Sequence, residues 1–303
     1  MPSDKPTVGV AGANGKLGIH VINALISESF RPNFGSVVAL VRESAPQYTR
    51  DIWERQGVTV RIYNEKNMTE SLAGIDILIN ALSSKGHLYK DAIAEALPLT
   101  KVCLYFPSEF GVDHVVHEFN QVFWDAKKRH YDDVQKIDSI RVSRVYVGLF
   151  TEDSIGSWFG FNTKTGVYEC VGSPDAKISF TSREDSGTAM AALASLPLSD
   201  VPEEVHIAGD TRSFNEIAKI MEDSGAGPIT IQQLNLEEFK DKLMKELVAS
   251  PAPYLRFLVG EGKIDHRKGR LGCDNDLVNK DETNWKWTTL TDLAERTGGK
   301  PNA

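Results

Sequence analysis

Val8-Gly9-Val10-Ala11-Gly12-Ala13-Asn14-Gly15-Lys16-Leu17-Gly18 carries an apolar run straight into a turn with glycine at every third place. Residues 8–11 predict a β-strand and residues 17–26 a helix. Between them, the first glycine permits a tight turn, the second lets backbone approach a pyrophosphate, and the third lets helix pack closely on strand. A helix N-terminus adds free N–H groups and a favourable dipole for phosphate. The spacing is looser than the usual dinucleotide fingerprint, so its meaning rests on its place after a strand and before a helix. Gly12, Asn14, Gly15, Lys16, Leu17 and Gly18 are therefore expected to contact a dinucleotide. The bland alternative is a strand–helix turn with incidental glycines.

Outward from this turn the pattern repeats. Residues 37–41, 58–60, 75–80 and 102–106 predict further strands, and residues 48–56, 67–72 and 89–96 predict helices between them. Nearly continuous Val/Ile/Leu runs alternating with helices imply a parallel sheet covered on both faces. Right-handed crossovers then make an α/β, Rossmann-type, doubly wound sheet. Its domain is expected over residues 1–150. Residues 151–303 are expected to form mainly a smaller substrate lobe, with elements around 178–210 returning to the first domain. In that part, residues 178–181 and 205–209 predict strands, and 185–196, 213–224 and 236–248 predict helices. Ser213 with Glu216 has capping-box spacing.

The second strand ends Val41-Arg42-Glu43. An acid here would hold a ribose 2′-OH, whereas Arg suits the 2′-phosphate of NADP through paired donors. Arg42 comes first, which favours NADP(H). Glu43 would be the ribose acid if the strand ran one residue further, and a solvated Arg is the plain alternative. On the same carboxyl edge, Ala81-Leu82-Ser83 and Phe106-Pro107-Ser108 leave the fourth and fifth strands. They are expected to line the nicotinamide half, with Glu109 and Phe110 facing substrate.

The 303 residues carry a formal net charge of −8, which disfavours nucleic acid or an anionic membrane as partner. Hydrophobic residues make up 41% and charged residues 25%, enough to bury an ordinary core. Three well-separated cysteines (Cys103, Cys170, Cys273) form no disulfide framework and predict a reduced, cytoplasmic protein. No secretory signal, membrane span or lipidation signal is read. His114 and His117 follow Asp113, but no third ligand is apparent, so no metal is expected.

The glycine turn and Pro107-Ser108-Glu109-Phe110-Gly111-Val112-Asp113 resemble the NmrA-like, isoflavone-reductase-like branch of the atypical short-chain dehydrogenases. Trp158-Phe159-Gly160-Phe161 and residues 178–187 look like patterns of its fungal members. The resemblance spans roughly residues 7–210 and thins out beyond. It implies an NADP(H)-binding Rossmann fold and leaves the substrate open.

No tyrosine in the chain has a lysine four residues later, so the Tyr-x-x-x-Lys pair of typical short-chain dehydrogenases is absent. The resemblance implies instead a lysine-centred site on the helix after the fifth strand. That helix contains Lys127, Lys128 and His130, and any of the three can be the proton-transfer group. Lys127, Tyr131 and Val134 share one partly apolar face by spacing. His114 is a further pocket or proton-donor candidate. Trp158, Phe159 and Phe161 suit a flat, aromatic or polycyclic small-molecule substrate; core packing is their equal alternative. Three functions fit: an NADPH-dependent reductase of an aromatic or alkaloid-like secondary metabolite, a redox-neutral or redox-coupled cyclase using bound NADP(H), and a non-catalytic NADP(H) sensor. A monomer or homodimer is expected.

Overall fold

β1 (Thr7–Ala11), β2 (Ser36–Arg42), β3 (Thr59–Tyr63), β4 (Ile77–Asn80), β5 (Leu104–Phe106) and β6 (Arg141–Val142) make one parallel sheet in the order β3-β2-β1-β4-β5-β6. The computed structural model describes residues 5–83, 86–246 and 248–301. Leu247 of the expected helix 236–248, and the chain ends at 1–4 and 302–303, lie outside them. The connections are α1 (Gly18–Leu25), α2 (Gln47–Arg55), α3 (Met68–Ser71), α4 (His87–Ala96) and α5 (Val122–Val134). The order reverses between β1 and β4, and in such sheets the crevice beyond the carboxyl ends at that reversal takes the ligand.

The strands are apolar because both faces are covered. Val8, Val10, Val38, Leu40, Leu78 and Ile79 are all at most 1% exposed. Each such side chain contributes about 1.5–3 kcal/mol on burial. One face packs against Leu72, Ile93, Leu97 and Val134. The two-residue β6 had no counterpart among the expected strands; it pairs Arg141 and Val142 with Leu104 and Tyr105.

The chain divides into two units. The first holds the segment ending at Phe110, then Phe123–Val145 and Ser186–Val205; the second holds Gly111–Val122, Tyr146–Asp185 and His206–Ala303. The strand expected at 178–181 is observed as Ile178–Thr181, but it falls in the second unit, where it pairs with Asp210–Arg212 and Leu149–Phe150. What returns to the first unit is the helix that follows it. Gly187 is its contact point: a Cβ there would lie 2.5 Å from the backbone carbon of His20 in α1.

In the second unit, Val167–Val171 pairs in parallel with Thr230–Leu234 and antiparallel with Phe161–Asn162. The capping box is present, with Ser213 Oγ accepting from the Glu216 N–H and the Glu216 carboxylate accepting from the Ser213 N–H. Among the described residues, no helix is long and apolar enough to cross a membrane.

Candidate functional site

The glycine turn has the geometry its spacing implies. Gly12 sits at φ +80°, in the region that favours glycine, and a Cβ there would meet Ala81 O at 2.9 Å. Gly15 N–H donates to Gly12 O at 2.8 Å, closing the turn. At Gly18 a Cβ would come within 2.1 Å of Gly12 O, so the helix start lies directly on the turn. Glycine at these three positions keeps side chains away from where a phosphate would approach.

Asn14 acts sideways. Its Oδ1 accepts from Trp53 Nε1 at 2.8 Å and its Nδ2 donates to Thr49 Oγ1 at 2.9 Å, tying the turn to α2. Its side chain is thus structural, and only its backbone is left for a ligand. Lys16 is exposed, while Leu17 is buried beneath the helix start.

Arg42 is exposed at the end of β2, with its guanidinium 5.8 Å from the Tyr89 ring centroid. The Glu43 carboxylate accepts from Asn64 Nδ2 at 3.3 Å. Arg42 is therefore the residue of the pair that ends the strand with an open guanidinium. Arg50 stands nearby, donating to Glu43 O at 2.9 Å and Ala45 O at 3.3 Å. This second cation at the β2–α2 loop escaped the sequence reading. Its helix spacing looks like that of any solvated Arg.

At the carboxyl edge of β4 and β5, Ser108 Oγ donates to Leu82 O at 2.5 Å, joining the two exit loops. Ala81 places its carbonyl against Gly12, and Ser83 is exposed. Phe106 differs from its expected role: it is fully buried within the sheet, so Pro107 and Ser108 are the first residues to leave it. Phe110 ends this turn at φ +29°, where a bulky side chain costs about 1–3 kcal/mol. Its N–H donates to Val145 O at 3.0 Å, which holds it there.

α5 brings the three proton-transfer candidates to different places. Lys127 Nζ donates to Glu109 O at 2.5 Å and lies 3.6 Å from Glu109 Oε2. Its side chain is 23% exposed, that of Glu109 only 2%. Lys128 is half-buried. His130 turns inward to Tyr105. Leu82 N–H donates to Asn80 Oδ1 at 3.1 Å, so Asn80 Nδ2 donates to the Tyr105 hydroxyl at 2.8 Å. The hydroxyl proton then goes to His130 Nε2, 2.8 Å away, and the ring keeps its own proton on Nδ1. Burial, then the charge of Lys90, pushes His130 down to about 4. His130 is an uncharged, fixed imidazole. Burial also raises the Tyr105 hydroxyl far above its ordinary range.

The second unit holds the other candidates. His114 is buried, its ring centroid 6.0 Å from that of Tyr146 in an edge-to-face arrangement. Burial would raise Asp113, but the hydrogen bond from His206 and the Val115 N–H outweigh it and hold the carboxyl low. Phe159 and Phe161, expected as substrate walls, are core residues instead. Both are at most 1% exposed, and Phe161 stacks on Phe214 at 4.4 Å and meets Tyr168 edge-on at 5.0 Å. Trp158 alone of the three is exposed, its Nε1 donating to Asp153 O at 2.6 Å.

The profile of the NmrA-like family matches residues 4–277. A relative from Gibberella moniliformis, named as an NmrA-like family domain-containing oxidoreductase, is 28% identical over 280 residues, covering 86% of this chain and 91% of its own. Among solved structures, the leucoanthocyanidin reductase–NADPH complex of Vitis vinifera superposes with a TM-score of 0.75 at 16% identity, covering 97% of this chain and all of that one. AtPrR2 with NADP+ and (+)pinoresinol superposes with a TM-score of 0.72 at 17% identity, covering 97% and 99%.

Proposed function

The chain belongs to the NmrA-like family, and from that premise we propose that it is an NADPH-dependent reductase of an aromatic small molecule, with Lys127 as its proton donor. NADP(H) fits the glycine turn at Gly12–Gly18, with Arg42 and Arg50 for the 2′-phosphate. The loops 81–83 and 107–108 flank the nicotinamide half. When bound, the cofactor supplies a hydride.

One observation carries the reading: Lys127 is fixed on Glu109 at the carboxyl edge of β5 while remaining partly open. A lysine held by a carbonyl and a carboxylate has its amine aimed. It can then protonate the oxygen of a carbonyl-like substrate as the carbon takes a hydride. His130 on the same helix serves less well, because it is committed to Tyr105. The relatives' names, a leucoanthocyanidin reductase and a pinoresinol complex, support a flat aromatic substrate. The three cysteines are free, which supports a reducing, cytosolic setting. Glu109 and Phe110 are the substrate contacts we assign in the first unit.

The test is NADPH oxidation, followed by absorbance, with a leucoanthocyanidin, pinoresinol and a quinone as probes. Turnover that Lys127→Met abolishes supports the reading. Tight NADPH binding with no oxidation across the panel overturns it in favour of a sensor. Product formation without net NADPH consumption overturns it in favour of a cyclase.

A further inference from the structure

Behind Lys127 stands a second amine. Lys90, from α4, is 5% exposed and lines one small cavity with Ser108, Glu109, Ala126, Lys127 and His130. Around that cavity are two amines, one carboxylate and one uncharged imidazole. Lys127 takes the Glu109 contacts. Among the described residues, Lys90 forms no ion pair of its own. Glu109 holds Lys127 and cannot also fully compensate the buried Lys90 ammonium beside it, so the cluster is built to release one proton readily.

His130 decides what happens on release. Its Nδ1 is buried with no partner among the described residues, and the Asn80–Tyr105 chain has left the ring proton there. A buried donor beside a cavity favours an acceptor across from it. An uncharged lysine amine has a lone pair to offer, whereas an ammonium has none. The cavity therefore suits both forms of Lys90: Glu109 favours the ammonium, and His130 favours the amine.

We propose that Lys90 is the proton reservoir of the site, a positioning residue whose ammonium restores the proton that Lys127 hands to the substrate. This rests on the reductase reading. The substrate carbon accepts a hydride from NADPH, which is oxidised to NADP+, and the substrate oxygen accepts a proton from Lys127. Lys127, now an amine, takes a proton from the Lys90 ammonium across the cavity. Lys90 recovers one from solvent, and the cycle closes with one hydride and one proton delivered. Burial first, and the Lys127 charge second, push Lys90 down to about 8, with Glu109 and Asp91 opposing. Lys127 and His130 face it from α5, Glu109 from the loop after β5, and Asp91 from its own helix. A proton donor near working pH transfers efficiently in both directions.

The experiment is an NMR titration of the full chain carrying 13Cε-lysine. The Lys90 signal, identified by its loss in Lys90→Arg, is expected to titrate near pH 8 and to move upward in Lys127→Met. Titration above pH 10, or titration indifferent to Lys127→Met, overturns the proposal. In turnover with the active probe, Lys90→Arg and Lys90→Met should each lower kcat by about tenfold, within the span of general acid–base effects. Both should leave KM for NADPH unchanged and remove the limb of the pH–rate profile near pH 8. A merely structural lysine would shift KM for NADPH and keep the limb, which overturns the proposal too. A wild-type protein that oxidises no NADPH overturns the reductase reading and the reservoir together. Turnover with Lys90 titrating as an ordinary lysine overturns the reservoir alone.

Discussion

The Tyr105 hydroxyl lies 2.8 Å from His130 Nε2, and Asn80 on its other side forces that hydroxyl to be the donor. Removing the oxygen leaves two buried polar groups unpaired, at about 1–3 kcal/mol each. Tyr105→Phe should therefore lower Tm by several degrees while NADPH affinity stays at the wild-type value. An unchanged Tm would mean that the bond adds nothing to stability.

Burial pushes both His130 and His266 down to about 4 from an ordinary 6.5. The unfolded chain binds these protons more readily than the folded one. Their contribution is therefore complete above pH 6.5 and is lost as pH falls towards 4. Each accounts for about 3 kcal/mol at most. Urea denaturation at pH 7.0, 5.5 and 4.5, points chosen to span roughly that window, should show stability declining stepwise. A flat series would contradict the buried, neutral assignment.

Lys90 is linked to stability in the same direction, in a higher pH window. Its folded value is lowered, so protonation below about pH 8 disfavours the folded state. Lys90→Met should raise Tm at pH 7, and the gain should shrink between about pH 8 and about pH 10.5, the range over which the folded lysine is uncharged and the unfolded one still protonated. A stabilising change that lowers turnover is the pattern expected of a functional residue.

Arg42→Ala should weaken NADPH binding by about ten- to a hundredfold, because a charge-assisted phosphate contact is worth about 1.5–3 kcal/mol. NADH binding should change little. Equal losses for the two nucleotides, measured by fluorescence titration, would remove Arg42 from the 2′-phosphate.

Asn14 ties the turn to Trp53 and Thr49. Asn14→Ala leaves the indole N–H of Trp53, which is 3% exposed, without its acceptor. The expected cost is about 1–3 kcal/mol, with a rise in Kd for NADPH. A variant with wild-type Tm and Kd would show that the turn holds its shape unaided.

The sheet was legible because local signals agreed: apolar runs of strand length, glycine at three fixed offsets, and helices between. β6 was not, since two residues carry no period. The aromatic segment misled because ring content says nothing about facing; Phe159 and Phe161 went inward and Trp158 outward. Lys127 could be read only as one of three neighbours, because its choice depends on Glu109, brought in from another element. Lys90 did leave a trace. It precedes Ile93, Ala94 and Leu97 at helical spacing, which puts a lysine on the buried stripe of α4. A cation on such a stripe is a chemical signal, and spacing alone would have found it.

The contact between Gly187 and His20 has a consequence for synthesis. α1 (Gly18–Leu25) leaves the ribosome long before the glycine that seals it, residue 187. The nascent first unit must wait, with its α1 surface uncovered, through the translation of an intervening piece of the second. Long-range closure of this kind slows folding and leaves apolar surface open to aggregation. A substitution at position 187 would then show its damage in yield and chaperone dependence before it showed in the activity of the molecules that do mature.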